Sequence, residues 1–220
     1  YDWNTFGEYM AKLPAFSVNV AQLVGHVAVR TSAMGIANRA PTEDELETMR
    51  KLVAEAMQSG AFGFSTGLIY PPSSFSKLPE IVELAKVAGQ YGGGYFTHMR
   101  DEALGIWDAV REACEIGRQA DCRVQISHLK LSGQKAWGKA KELLTLLDEQ
   151  RATGVRVMAD QYPYPAGSSG LKSLLPTWAL EGSTAVLVQR LEDPKTRDQI
   201  RAEMLEGMSE NGFMKITKWE

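Results

Sequence analysis

A strand followed by a helix recurs along most of this chain, and this repeat constrains the fold more than any other feature of the sequence. Short apolar runs bounded by turn residues predict five buried strands. From the second strand onwards, successive strands begin about 30 residues apart, the length of a strand, a helix and two loops. The predicted strands cover 22–29, 61–66, 94–98, 122–128 and 155–161.

Helical patterns fill the intervals between these strands. The clearest covers 42–59, where Thr42 and Glu45 form a predicted capping box and Gly60 follows the last turn. Apolar residues at helical spacing predict the other helices. These cover 79–89, 103–119, 135–151 and about 193–207.

Parallel strands joined by helices form either a doubly wound sheet or a barrel. No Gly-x-Gly-x-x-Gly run follows a predicted strand, and the glycines at 92–94 precede one, so a dinucleotide-binding turn is not predicted. We therefore favour a barrel. Strands without clean polar alternation also predict a sheet that is covered on both faces. A whole barrel takes eight strands and about 250 residues, so five strands predict an α/β interior slice of a longer protein.

The repeat stops after Tyr164 and divides the chain. Residues 1–165 are predicted to form a partial barrel. Residues 166–220 open with a loop-like Gly/Ser run and continue with apolar and helical patterns. We predict a lid-like insertion that ends at the start of the next barrel unit, because long excursions at strand ends often bind ligands. Plain packing at the barrel edge is the alternative.

Composition excludes several classes of function. The 24 basic and 27 acidic residues give a net charge of -3, which argues against nucleic acid as a partner. No run approaches the roughly 18 apolar residues of a membrane span. Cys114 and Cys122 are too few for a disulfide framework, which favours a reducing, cytoplasmic setting.

Two of the three histidines stand at strand ends. His98 ends the predicted strand 94–98, and His128 ends the next, 122–128. Neighbouring parallel strands lie roughly 4.8 Å apart, so both imidazoles can converge at the carboxyl rim, where barrels build active sites. This geometry suits zinc, although two hydrogen-bonded rim histidines are the alternative.

A catalytic zinc usually has three protein ligands, and the third is open at this point. Asp160 ends the next strand but could equally anchor a loop or accept a hydrogen bond. His26 ends an earlier strand and is better explained as a core or supporting histidine. Cys122 lies at the opposite rim, and Cys114 lies on the apolar face of its helix.

Four motifs in the same order resemble the D-aminoacylases, which are N-acyl-D-amino-acid deacylases of the zinc amidohydrolase superfamily. The motifs are GFSTGLIYPP at 63–72, FTHMR at 96–100, QISHLK at 125–130 and DQYPY at 160–164. The resemblance covers essentially the whole chain. It implies a TIM-type (β/α)8 metal-dependent hydrolase barrel, of which this chain supplies about the third to the seventh strand.

The resemblance maps His98 and His128 onto metal-binding histidines of the family's fifth and sixth strands. The family's other ligands are a His-x-His pair, a cysteine and an aspartate that is also the general base, and none has a match in these 220 residues. The implied reaction is zinc-dependent hydrolysis of the amide bond of a small N-acyl-D-amino acid. The catalytic base is therefore expected outside this chain, and the 220 residues alone are expected to bind zinc weakly and hydrolyse nothing.

The resemblance also implies substrate-binding roles for Tyr70, Lys130 and Tyr162, whose cationic and hydroxyl groups suit the substrate's α-carboxylate. A solvated lysine and packed loop tyrosines are the alternatives, and Tyr164 competes with Tyr162. Arg100 either orients His98 or precedes a helix. Asp101 and Glu102 are interpreted as acidic residues at a helix start.

Two other functions stay open. Related hydantoinases and dihydroorotases hydrolyse cyclic amides with a carboxylated lysine on the strand that corresponds to 61–66, and that strand contains no lysine. A non-catalytic barrel-like binding module is the second alternative. It predicts no bound zinc and no loss of function on His98→Ala.

Overall fold

The computed structural model describes residues 2–164 and 166–211 and shows an α/β fold around one parallel sheet. The strands are β1 (Leu23–Gly25), β2 (Gly63–Gly67), β3 (Gly94–His98), β4 (Arg123–Ile126) and β5 (Val157–Ala159). The α-helices are α1 (Phe6–Ala11), α2 (His26–Met34), α3 (Glu43–Gln58), α4 (Leu78–Gln90), α5 (Ile106–Ala120), α6 (Ala140–Ala152), α7 (Thr184–Glu192) and α8 (Pro194–Asn211). Short 3₁₀ turns lie at Ser73–Phe75, Gln134–Ala136, Leu171–Leu174 and Thr177–Leu180.

The strand order in the sheet follows the chain from β1 to β5, and every neighbouring pair is parallel. The prediction of five parallel strands joined by helices is confirmed. Because the order never reverses, the described sheet has no switch point of the kind at which doubly wound sheets bind nucleotides.

The first strand is shorter than predicted. β1 ends at Gly25 and α2 begins at His26, so the strand predicted over 22–29 was wrong beyond Gly25. Val27 and Val29 favour a strand by residue type, but both lie on α2, where Val29 is buried and Val27 is exposed. Packing of α2 against β1 and β2 outweighs their strand preference.

Helix α3 begins where the sequence predicts, whereas α5 and α6 begin later than predicted. Thr42 and Glu45 form the expected capping box at the start of α3. α5 begins only at Ile106, because Asp101 first accepts hydrogen bonds from the amides of Ala103 and Gly105. The helix predicted over 135–151 starts as a 3₁₀ turn and continues as α6 from Ala140, after Gly138 adopts a φ of 82°.

The main core lies between one face of the sheet and the helices. The paired residues Phe64, Tyr95, Val124 and Val157 form a buried row across β2 to β5. Tyr95 shares a hydrogen bond with Thr66 inside this core, and burial raises the pKa of its phenol to about 12. This packed layer gives the carboxyl ends of β3 and β4 a rigid base.

The opposite face of the sheet is more open. Its paired row contains Ser65, Phe96, Gln125 and Met158, and the Met158 side chain is exposed among the described residues. The predicted coverage of both faces is therefore incomplete within residues 2–164 and 166–211, because Ser65, Phe96 and Gln125 are only half-buried and Met158 is exposed. Within the same ranges, no helix combines the length and apolar character needed to cross a bilayer.

Candidate metal centre

The carboxyl ends of β3 and β4 bring two histidines into contact, as predicted. His98 is the last residue of β3, and His128 lies two residues beyond the end of β4. Nδ1 of His98 lies 2.9 Å from Nε2 of His128, and the ring centroids are 4.6 Å apart. Two imidazole nitrogens that face each other at this distance can bind one small cation.

The backbone of His128 is in the left-handed region, with a φ of 42°. This conformation is uncommon for a residue with a side chain and needs support from its surroundings. Oδ1 of Asp160 accepts a hydrogen bond of 2.6 Å from the His128 amide, and its Oδ2 accepts one of 2.7 Å from Gln125. Of the roles left open for Asp160, the structure thus shows hydrogen bonding that fixes His128.

Glu102 completes a group that we term the rim cluster, which consists of His98, Glu102, His128 and Lys130. Oε1 of Glu102 lies 2.9 Å from Nδ1 of His128, 4.0 Å from Nδ1 of His98 and 2.6 Å from Nζ of Lys130. Lys130 Nζ also lies 3.0 Å from Nδ1 of His128. The three side chains of His98, Glu102 and His128 could hold a metal ion together.

The chemistry of the rim cluster fits a metal such as zinc. The other ring nitrogen of His98, Nε2, does not face His128; it is buried and has no hydrogen-bond partner among the described residues, which is unusual for a buried polar atom. Burial lowers the pKa of His98, although the charge of Glu102 opposes this shift. A neutral imidazole is the form that binds metal, and a donor set of two imidazoles and a carboxylate is one that zinc accepts.

The three predicted substrate-binding residues surround the two histidines. The Tyr70 ring lies 5.0 Å from the His98 ring, and its hydroxyl lies 3.3 Å from Ser169 Oγ. The Tyr162 ring lies 6.4 Å from the His128 ring, and Lys130 Nζ lies 5.4 Å from the Tyr162 ring centroid. Tyr164, the competing tyrosine, is largely exposed.

The third histidine lies in a second group, which we term the buried cluster: His26, Arg30, Ser73, Ser76 and Glu80. Nδ1 of His26 lies 2.7 Å from Ser73 Oγ, and Nε2 lies 2.9 Å from Glu80 Oε1. Arg30 donates two hydrogen bonds to Glu80, at 2.6 and 2.7 Å. His26 is thus a core histidine that helps to anchor the loop after Tyr70, and it does not line the rim.

The two cysteines and Arg100 have structural contacts away from the rim cluster. Cys114 and Cys122 are buried and free, as expected, and burial raises the pKa of each thiol to about 11. Arg100 pairs with Glu112 and donates to the carbonyls of Ser74 and Ser76, so it braces the same loop as the buried cluster.

The interpretation of Glu102 as a helix-start residue was wrong, because α5 begins four residues later. Its carboxylate instead lies 2.9 Å from Nδ1 of His128 and 4.0 Å from Nδ1 of His98. Asp101 does act near the helix start, through the turn described above.

Comparisons with known proteins find relatives that are named as deacylases and as amidohydrolases. An N-acyl-D-aspartate deacylase of Alcaligenes xylosoxydans xylosoxydans is 45% identical over 74% of this chain and 32% of its own length. A D-aminoacylase of the same organism is 42% identical over 78% of this chain and 36% of its own length. No protein-family model matches.

Solved structures give the same result. A D-aminoacylase crystal structure, described as defining a novel subset of amidohydrolases, superposes with a TM-score of 0.70 at 41% identity over 74% of this chain and 35% of its own. An N-acyl-D-glutamate deacylase of Bordetella bronchiseptica, complexed with zinc and a phosphonate inhibitor, gives 0.67 at 39% identity over 73% of this chain and 33% of its own. The predicted resemblance is confirmed: the chain is a relative of the D-aminoacylases, and it spans about a third of the length of the relatives it matches.

Proposed function

We propose that this chain contributes two zinc ligands and the carboxylate-binding side chains of an N-acyl-D-amino-acid deacylase. The observation that carries the proposal is the convergence of His98 Nδ1 and His128 Nε2 at 2.9 Å on the carboxyl rim of the sheet. The homologous zinc and phosphonate complex described above supports the same metal and a hydrolytic reaction.

His98 and His128 are the residues of this chain that would hold the zinc. When bound, zinc lowers the pKa of a water molecule to about 7 and polarises a carbonyl group. In the overall reaction, water adds across the amide bond, so that the acyl carbon gains oxygen and the amine nitrogen gains a proton. The general base of the family has no counterpart in this chain, and we assign none of the described residues to that role.

Lys130, Tyr70 and Tyr162 are proposed to bind the α-carboxylate that every N-acyl amino acid carries. Lys130 supplies a positive charge beside His128, and its side chain is only 21% exposed, which strengthens its attraction for an anion. The two tyrosines lie beside different histidines, and each hydroxyl can donate a hydrogen bond to a carboxylate.

We also propose that residues 1–165 form the third to the seventh strand unit of a (β/α)8 barrel and that residues 166–211 form a lid-like insertion. The predicted start of the next barrel unit, at the end of 166–220, lies outside the described residues. The open sheet row with Phe96 and Met158 supports the barrel, since that face is filled in a closed barrel. The hydrogen bond between Tyr70 and Ser169 supports a lid near the site. The free cysteines favour a cytoplasmic setting.

The test uses the natural full-length protein that carries this chain. We expect release of the free D-amino acid from N-acetyl-D-methionine, loss of this activity with a chelator, and recovery with zinc. Hydrolysis of dihydrouracil or hydantoin without deacylation would favour a cyclic amidase instead. Absence of both zinc and hydrolysis would overturn the proposal in favour of a binding module. The isolated 220 residues should bind zinc weakly and show no turnover.

A further inference from the structure

Glu102 occupies the centre of the rim cluster although it is not among the predicted ligands. Its side chain is 14% exposed and lies in the connection between β3 and α5. One oxygen, Oε1, lies within 3 Å of both His128 Nδ1 and Lys130 Nζ. A carboxylate between a ring nitrogen and an ammonium can influence which ring nitrogen carries the proton and where the ammonium lies.

His128 has two ring nitrogens with different neighbours. Nε2 faces His98, and Nδ1 faces Glu102 and Lys130. If Nε2 is to bind a metal, it must keep its lone pair, and Nδ1 must then carry the proton. A carboxylate only accepts hydrogen bonds, so Glu102 favours a proton on Nδ1.

Lys130 acts in the opposite sense. An ammonium only donates, and Nζ lies 3.0 Å from Nδ1 of His128. Left alone with the ring, Lys130 would donate to Nδ1 and force the proton onto Nε2, the nitrogen that faces His98. Glu102 offers the ammonium a charged acceptor at 2.6 Å, and such charge-assisted hydrogen bonds are stronger than neutral ones.

We propose that Glu102 is a positioning residue: its carboxylate accepts a hydrogen bond from Nδ1 of His128 and competes with that nitrogen for the Lys130 ammonium, and it thereby keeps Nε2 of His128 free. The same contact orients the Lys130 ammonium for the substrate's carboxylate. This inference rests on the proposed zinc function of the site.

The test measures zinc affinity of the metal-free full-length protein by competition with a chromogenic chelator. Glu102→Gln should weaken zinc binding about 10- to 100-fold, the usual effect of removing a partner of a ligating histidine. Glu102→Gln combined with Lys130→Met should recover most of that loss, because the competing donor is gone. Asp108→Asn, a change in a 91% exposed carboxylate on α5, is the matched control and should leave zinc binding unchanged.

Kinetic constants provide a second measurement. Glu102→Gln reloaded to full zinc occupancy should raise KM for N-acetyl-D-methionine more than it lowers kcat, because Lys130 loses its fixed position. Unchanged zinc affinity in Glu102→Gln would overturn the proposal. A weakened affinity that Lys130→Met does not restore would also overturn it, since Glu102 would then act as a ligand itself. If the unaltered protein bound no zinc and hydrolysed no amide, the proposed function would fail first.

Discussion

The rim cluster and the buried cluster each contain histidine, glutamate and a cationic side chain, but the two clusters differ in burial and in hydrogen bonding. In the buried cluster the side chains of His26 and Arg30 are fully buried, and both ring nitrogens of His26 have close partners. In the rim cluster the side chains are 14–29% exposed, and His98 Nε2 has no partner among the described residues. Partial exposure and incomplete hydrogen bonding, rather than residue type, distinguish the rim cluster from the buried cluster.

The two clusters are also connected through one loop. The buried cluster holds Ser73 and Ser76, and Arg100 holds the carbonyls of the same stretch, just after Tyr70. The Tyr70 ring contacts His98. The buried cluster therefore helps to hold Tyr70 in its position beside the rim cluster.

The sharpest test of the comparison removes a rim ligand. His128→Asn should reduce kcat/KM at least about a thousandfold, because metal polarisation supplies several kcal/mol of transition-state stabilisation. Asparagine tolerates the left-handed backbone, so the thermal unfolding temperature of the metal-free protein should change little. Metal analysis and steady-state kinetics provide the measurements. Full zinc content with normal turnover in this variant would show that the rim cluster is only structural.

The reciprocal change breaks the buried cluster. Glu80→Gln should lower the free energy of unfolding by about 3 kcal/mol, because Arg30 then keeps a buried charge without its partner. Urea unfolding measures this loss. Zinc bound per folded molecule should stay the same as in the unaltered protein. A loss of stability under about 1 kcal/mol would contradict a buried ion pair between Arg30 and Glu80.

Acid should act on the buried cluster in a defined direction. Burial would raise the pKa of Glu80, but hydrogen bonds from His26 and Arg30 outweigh it and hold the pKa below its ordinary value of 4.5. The unfolded chain therefore binds a proton at higher pH than the folded protein does. Stability from this group is complete above about pH 4.5 and is lost as pH falls through the folded-state pKa.

The measurement is urea unfolding of the unaltered protein and Glu80→Gln from pH 7 down to the acid limit of folding. The difference in stability between them should shrink below pH 4.5. A difference that stays constant across this range would show that folding does not lower the pKa of Glu80.

Two adjacent serines give the smallest and most local test. Ser73→Ala removes the 2.7 Å hydrogen bond to His26 and should cost about 1 kcal/mol. Ser74→Ala is the matched control, since Ser74 Oγ is buried without a partner among the described residues, and it should be nearly neutral. Denaturant titration compares them, and equal effects would remove the evidence that His26 anchors the loop. Ser73→Ala should also raise KM modestly through Tyr70.

The sequence predicted what depends on local patterns. Apolar runs located all five strands, and the Thr42–Glu45 capping box located the start of α3. Each of these signals is formed by residues that are close together in the sequence. The convergence of His98 and His128 followed from the strand repeat and the fixed spacing of parallel strands. These inferences needed only the topology.

The features that the sequence did not predict depend on how loops pack. Glu102 reads like any acidic residue before a helix, and only the path of the β3–α5 connection turns it towards His128. The sequence predicted a strand at His26, but α2 begins at this residue, and its ring is buried against Glu80. Side-chain contacts between residues 26 to 54 positions apart in the chain leave no local signature.

The hydrogen bond from the His128 amide to Asp160 has a consequence for the order in which the molecule assembles. The two residues are 32 positions apart and meet only after β4 and β5 have paired. The carboxylate that supports the left-handed backbone of His128 is therefore in place only when β4 and β5 are in register. We expect zinc binding at the rim to require docked β4 and β5 strands, and a zinc-sensitive probe during refolding would test this expectation.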